Sequence, residues 1–153
     1  MISTPAKLQQ GASLIEVLVA IVILSIGLLG LAGLQTTSVQ SNYSAFYRSQ
    51  ATLLAYDLGD RMRANRTAGL ASSSDSGFPT SSSSHAVTGT QAAKDKAEWL
   101  NNLALQLPNG TGMIEKTGTT LKISVQWNDN RGRIKNSAGD GTQTETFVYR
   151  TEI

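Results

Sequence analysis

Residues 17–34 read VLVAIVILSIGLLGLAGL. Every position except Ser25 is apolar or glycine, so no face of this segment is reserved for water. As a helix it spans about 27 Å, and extended back through Ala12 it is long enough to cross a bilayer. A soluble domain in a 153-residue chain does not ordinarily bury a helix that is apolar all round. A membrane reading is therefore preferred to a buried core helix. A secretory signal needs a shorter apolar stretch, about 7–15 residues, and then a small-x-small cleavage site. This run is too long, and Gln35-Thr36-Thr37-Ser38 continues it in helical character. Two readings remain: a plain single-span anchor, and an anchor that also takes part in assembly.

The flanking residues favour the second. Residues 1–11, MISTPAKLQQG, form a short polar leader whose only charged side chain is Lys7. Under the basic-inside bias such a leader stays on the cytoplasmic side. Glu16 stands just inside the apolar run. A carboxylate there is expensive and tends to mark function. On spacing alone, an interfacial residue that snorkels to the headgroups explains it equally well.

Composition narrows the chemistry. There are 13 Lys+Arg, 11 Asp+Glu and one His, a formal charge of +2, which is too balanced for a chain built mainly to grip nucleic acid. Cysteine is absent, which excludes disulfides, thiolate metal sites and cysteine nucleophiles. No nucleophile elbow, P-loop, zinc-protease or dinucleotide motif occurs. Asp57 and Asp60 lie three apart, but Arg61 and Arg63 are close by, which fits surface ion pairs better than paired acid and base. Arg61, Arg63 and Arg66 lack interleaved aromatic residues, so nucleic acid is not an expected partner. His85 reads as ordinary surface. No enzyme activity, cofactor or metal is expected. The Gly139-Asp140-Gly141 turn has too few converging acids for calcium.

The pattern along the chain predicts an α+β fold. Residues 12–66 read as one long helix without a proline. Its second half carries a stripe of Tyr47, Ala51, Leu54, Ala55, Leu58 and Met62 at three- and four-residue steps, the mark of an amphipathic helix on a domain. Gly27, Gly30 and Gly33 either admit close helix contact with local softening or leave a smooth face for lipid. Residues 67–89, rich in Ser, Thr and Gly, read as a loop. A second helix is expected over 91–107, with Thr90 as its cap and an inner stripe of Ala93, Ala97, Leu100, Leu103, Ala104 and Leu107, flanked by Trp99. Strands are expected at 112–117, 121–127 and 145–151, the last with Phe147 and Tyr149 on one face. They form a small antiparallel sheet packed on the second half of the long helix. Residues 129–144 read as a long connection.

Residues 11–20, GASLIEVLVA, resemble the signal of type IV prepilins and type II secretion pseudopilins. The resemblance implies that a membrane aspartyl peptidase cuts between Gly11 and Ala12 and methylates the amine of Ala12. Family members usually carry phenylalanine at the position of Ala12. Residues 25–35, 48–57 and 60–66, the last reading DRMRANR, are similar to one group of minor pilins, the type IV pilus modification proteins. The carboxyl half matches loosely, through 97–99, 107–110 and 125–127. The division implied is a leader at 1–11, a membrane and filament-core segment at 12–35, and a periplasmic pilin-like domain at 36–153. Glu16 is implied to set register in assembly. Expected partners are other minor pilins and the major pilin, the prepilin peptidase, the inner-membrane assembly platform and a tip adhesin. The alternative within the superfamily is a minor pseudopilin of a type II secretion system.

Overall fold

The computed structural model describes residues 13–71, 74–130 and 144–153. The chain divides into two compact units, Met1–Ser38 and Val39–Ile153. Helix α1, Leu14–Ala64, runs unbroken for 51 residues and contributes to both. In the first unit it has no globular partner: none of its most apolar 18-residue window, of mean hydropathy 2.8, is buried. The helix continues through Gly27, Gly30 and Gly33, and a methyl group at any of the three would meet open space. No contact among the described residues requires glycine there.

The second unit holds the core. From α1 come Tyr47, Ala51, Leu54, Ala55, Leu58 and Met62, all buried, as the periodicity predicts. A turn at Asn65 separates α1 from the short α2, Arg66–Ala71, so the first part of the expected 67–89 loop is instead helical. Helix α3, Gln91–Gln106, starts at Thr90, whose Oγ1 accepts the Ala93 N–H at 3.3 Å. It stops at Pro108-Asn109-Gly110. Asn109 takes a left-handed conformation at φ 51, and a Cβ at Gly110 would lie 2.1 Å from the Leu103 carbonyl oxygen.

The inner face of α3 is rotated from the expected one. Ala92, Ala97, Trp99, Leu100 and Leu103 are buried, whereas Ala93 is exposed and Ala104 half-buried. Trp99 lies inside the core, not at its flank. Its Nε1–H donates to the Leu54 carbonyl at 2.9 Å, tying α3 to α1. The ring has room because Gly112 lies beneath it, where a Cβ would come within 2.1 Å of Trp99.

The sheet has three antiparallel strands in sequence order: β1, Thr111–Thr117; β2, Thr120–Asn128; and β3, Thr144–Glu152. The β1–β2 hairpin turns on Gly118 at φ 61, the first of two loop residues, where a type II′ turn requires glycine. Ile114, Leu121, Ile123, Val125 and Trp127 point into the core, with Phe147 and Tyr149 packed beside them. On the other face Glu115 and Lys122, directly opposite in register, form an ion pair at 2.5 Å.

Two polar devices were not legible in the pattern. Ser44 and Asp129 are both fully buried, and the Ser44 hydroxyl donates to the Asp129 carboxylate at 2.6 Å, joining α1 to the end of β2. The segment from Ser74 to His85 is irregular but attached. Asp75 N–H donates to the Ile114 carbonyl at 2.8 Å, and Asp75 Oδ2 accepts the Ile114 N–H at 2.9 Å. Ser74 Oγ accepts the Lys116 N–H, and the Thr111 hydroxyl donates to the Pro79 carbonyl. Asp75 also pairs with Lys96. Farther along, His85 N–H donates to Asn101 Oδ1 at 2.7 Å. The outer edge of β1 is therefore covered at Ile114 and Lys116.

Candidate assembly site on the amino-terminal helix

The site begins where α1 begins. Ser13 C=O accepts the N–H of Glu16 at 2.9 Å and of Val17 at 3.2 Å, closing the first turn. Glu16 lies in that turn, exposed and without an ion-pair partner among the described residues. The unsatisfied amides of a helix start favour a carboxylate by about 0.3–1 kcal/mol. Burying an acid at a bilayer centre costs about 2.5–3.5 kcal/mol on insertion scales. The helix dipole alone therefore does not offset burial. Glu16 must reach headgroups or meet a cation from beyond the described residues. Gly11 and Ala12 lie outside the described residues.

Below Glu16 the helix hides its own polar atoms. The Ser25 hydroxyl donates to the Ile21 carbonyl at 2.7 Å, and the Thr36 hydroxyl to the Ala32 carbonyl at 3.0 Å. Each bond runs back four residues, so neither hydroxyl needs water. What remains is a column of exposed aliphatic side chains from Leu14 to Leu34. Such a surface is stable only when lipid or other helices cover it.

The 60–66 stretch does different work. Arg61 pairs with Asp57 at 3.0 Å and reaches Glu98 of α3 at 2.9 Å. Arg63 pairs with Asp60 at 2.6 Å, donates to the Tyr149 hydroxyl of β3 at 3.0 Å and also bonds Thr151. Between the two arginines, Met62 fills the core. The two arginines are thus committed to joining α1 to α3 and β3, and the acids beside them are their partners. Arg66 is exposed at the start of α2. His85 is half-buried and held to α3 through its backbone. The 139–141 turn lies outside the described residues, and among those described no group of three His, Cys, Asp or Glu could hold a metal ion.

Residues 6–32 match a family described as the prokaryotic N-terminal methylation motif. The matched stretch takes in Gly11, Ala12, Glu16 and most of the apolar run. This supports a place in the type IV pilin and pseudopilin superfamily, with processing by the prepilin peptidase machinery. An apolar helix near the amino terminus agrees with a membrane-anchored pilin. No curated protein and no solved structure matches the chain.

Proposed function

We propose that this chain is a minor pilin of the type IV pilus modification (PilV) kind, and that it is the substrate of an enzyme and not itself one. The observation that carries the reading is Glu16, without an ion-pair partner among the described residues, at the head of a helix whose apolar sides no described residue covers. Prepilin peptidase removes residues 1–11 and methylates the Ala12 amine. The apolar half of α1 holds the subunit in the inner membrane with the second unit in the periplasm. The helix then exchanges lipid for neighbouring helices, a transfer that keeps its apolar surface buried throughout. In that bundle the new amine of one subunit attracts the Glu16 carboxylate of another. An uncompensated charge there costs several kcal/mol, about 3–5 when one partner of a buried pair is lost, so misaligned subunits are rejected. The subunit joins other minor pilins in a priming complex at the filament tip, which starts polymerisation by the assembly platform, presents an adhesin and so supports twitching motility. The similarity of residues 60–66 to the pilus modification proteins favours this role over a secretion pseudopilin, which shares the signal and the fold.

Intact mass spectrometry of the membrane-extracted protein, from cells with and without prepilin peptidase, tests the reading. Loss of residues 1–11, dependent on the peptidase and with or without one added methyl, is the expected result. A full-length chain in both samples overturns it and leaves a plain anchored protein. Neighbouring genes separate the pilus from the secretion system: pilus alignment and retraction genes against a secretin operon.

A further inference from the structure

Where α1 enters the second unit it carries a stripe that the core does not use. Tyr47 turns inward and is buried, whereas Val39, Tyr43 and Phe46 stay about half exposed. With Asn42 they stand at i, i+3, i+4 and i+7, so they share one helix face. Together they line an open hollow of about 350 Å³. The core holds its rings in place. Tyr43 stacks on Tyr47 at a centroid distance of 6.4 Å, and Phe46 meets the same ring edge-on at 5.8 Å. Folding has already ordered these rings, so contact with a further surface costs little freedom. An ordered apolar patch of this kind marks a face that meets something other than water.

Position, charge and the order of polarity select a bilayer surface as the occupant. Val39 follows Leu34, the end of the apolar run, by five residues. Chain connectivity therefore keeps this end of the stripe beside whatever the run is embedded in. Residues 35–56 contain no aspartate or glutamate, and their one charged side chain, Arg48, is paired with Glu145. A face without carboxylates is not repelled by anionic headgroups. Past the hollow, the same three- and four-residue steps run through Gln50 and Leu53 to Asp57, which is paired with Arg61. Apolar and aromatic groups thus come first after the apolar run, and charge comes farther along the chain. That is the polarity order of a membrane interface, where tyrosine is favoured for its apolar ring and polar tip.

We infer that, while the subunit is anchored, lipid at the bilayer surface fills this hollow, with Val39, Tyr43 and Phe46 entering the boundary between headgroups and acyl chains. The inference requires contact and assumes no angle between the two units. It rests on the membrane anchorage in the proposed function and not on polymerisation.

The test uses the full chain in nanodiscs that hold one copy. The discs are made from phosphatidylethanolamine and phosphatidylglycerol, either ordinary or brominated on the acyl chains near the headgroup. Bromine quenches an indole only on contact. The native Trp99 and Trp127 are buried and supply a constant background. Phe46→Trp adds a probe in the hollow, Leu24→Trp one in the apolar run, and Leu105→Trp one at an exposed position of α3. Brominated lipid is expected to lower the added emission of Phe46→Trp and Leu24→Trp several-fold and to leave that of Leu105→Trp unchanged. Val39→Gln together with Tyr43→Gln, both at exposed positions, should restore the Phe46→Trp emission without altering the circular dichroism. Quenching of Leu24→Trp without quenching of Phe46→Trp overturns the inference, leaves the anchorage standing and returns the stripe to another subunit as its cover. An unquenched Leu24→Trp overturns the anchorage and the inference with it. Equal quenching of Leu105→Trp, or quenching of Phe46→Trp that survives the double replacement, also overturns the inference, because contact then does not depend on the stripe.

Discussion

Glu16 is a charge without an ion-pair partner among the described residues. Its place in the first turn softens the cost of an apolar environment by about 0.3–1 kcal/mol, well short of the burial cost. Replacement by leucine therefore leaves insertion intact or improves it, because the helix becomes wholly apolar. Assembly should weaken, measured as the fraction of subunits recovered in sheared filaments against the membrane fraction. A Glu16→Leu subunit that enters filaments at the normal level refutes the register role. Tyr149 offers a second check at this scale. The hydrogen bond with Thr151, and after it the bond from Arg63, hold its hydroxyl below the ordinary phenol value of 10.0, against the opposing effect of burial. Its folded-state pKa is thus lower than its unfolded one, and the unfolded chain binds the extra proton between them. Stability from this group is absent at neutral pH and grows as pH rises toward 10.0. Urea midpoints of the native chain relative to Tyr149→Phe should diverge upward over that window. A constant difference would show that the bond does not favour the phenolate.

Among the elements, the second half of α1 followed the expected face residue for residue, and α3 did not. The α1 stripe is wide and continuous, so periodicity alone orients it. Leu58 is fully buried within it, and Leu58→Ala should cost about 2–5 kcal/mol in chemical unfolding. Helix α3 has small alanines on several faces, so its pattern does not choose between adjacent orientations. Trp99 decides the matter, and it turns inward because Gly112 leaves a place for the ring. The only sequence signal was a pair of glycines, Gly110 and Gly112, at the junction of helix and strand. Gly112→Ala drives a methyl into that ring, and an overpacking loss of about 1–3 kcal/mol follows. A neutral result would mean that the tryptophan moves freely and does not lock α3. The Ser, Thr and Gly content of residues 67–89 indicates a loop but not where it attaches, for a related reason. Its attachment depends on where β1 falls in space, which local composition does not encode.

For the whole molecule, the division at Ser38 and Val39 separates two kinds of stability. All of the clustered core lies in the second unit, from Tyr47 to Ile153. No described residue of the first unit joins that core, and its apolar helix depends on lipid or neighbours for burial. A fragment of residues 39–153 should therefore fold alone and unfold in one transition, at the denaturant midpoint of the full chain in mild detergent. A lower midpoint would show that the apolar segment braces the domain.

The amino-acid order alone determined the long helix, its change from all-round apolar to striped, the three strands and the carboxylate at the head of the apolar run. Each is a local periodicity or a single costly residue, and short-range geometry is enough to express it. Tertiary structure alone decided which way α3 faces, that Ser44 meets Asp129 across 85 positions of sequence, and that Arg61 and Arg63 serve as internal ties. It also decided that Ser74 and Asp75 lie along the outer edge of β1. These outcomes depend on which distant residues share a space, and close packing together with hydrogen-bond satisfaction selects among arrangements that the local pattern leaves equivalent.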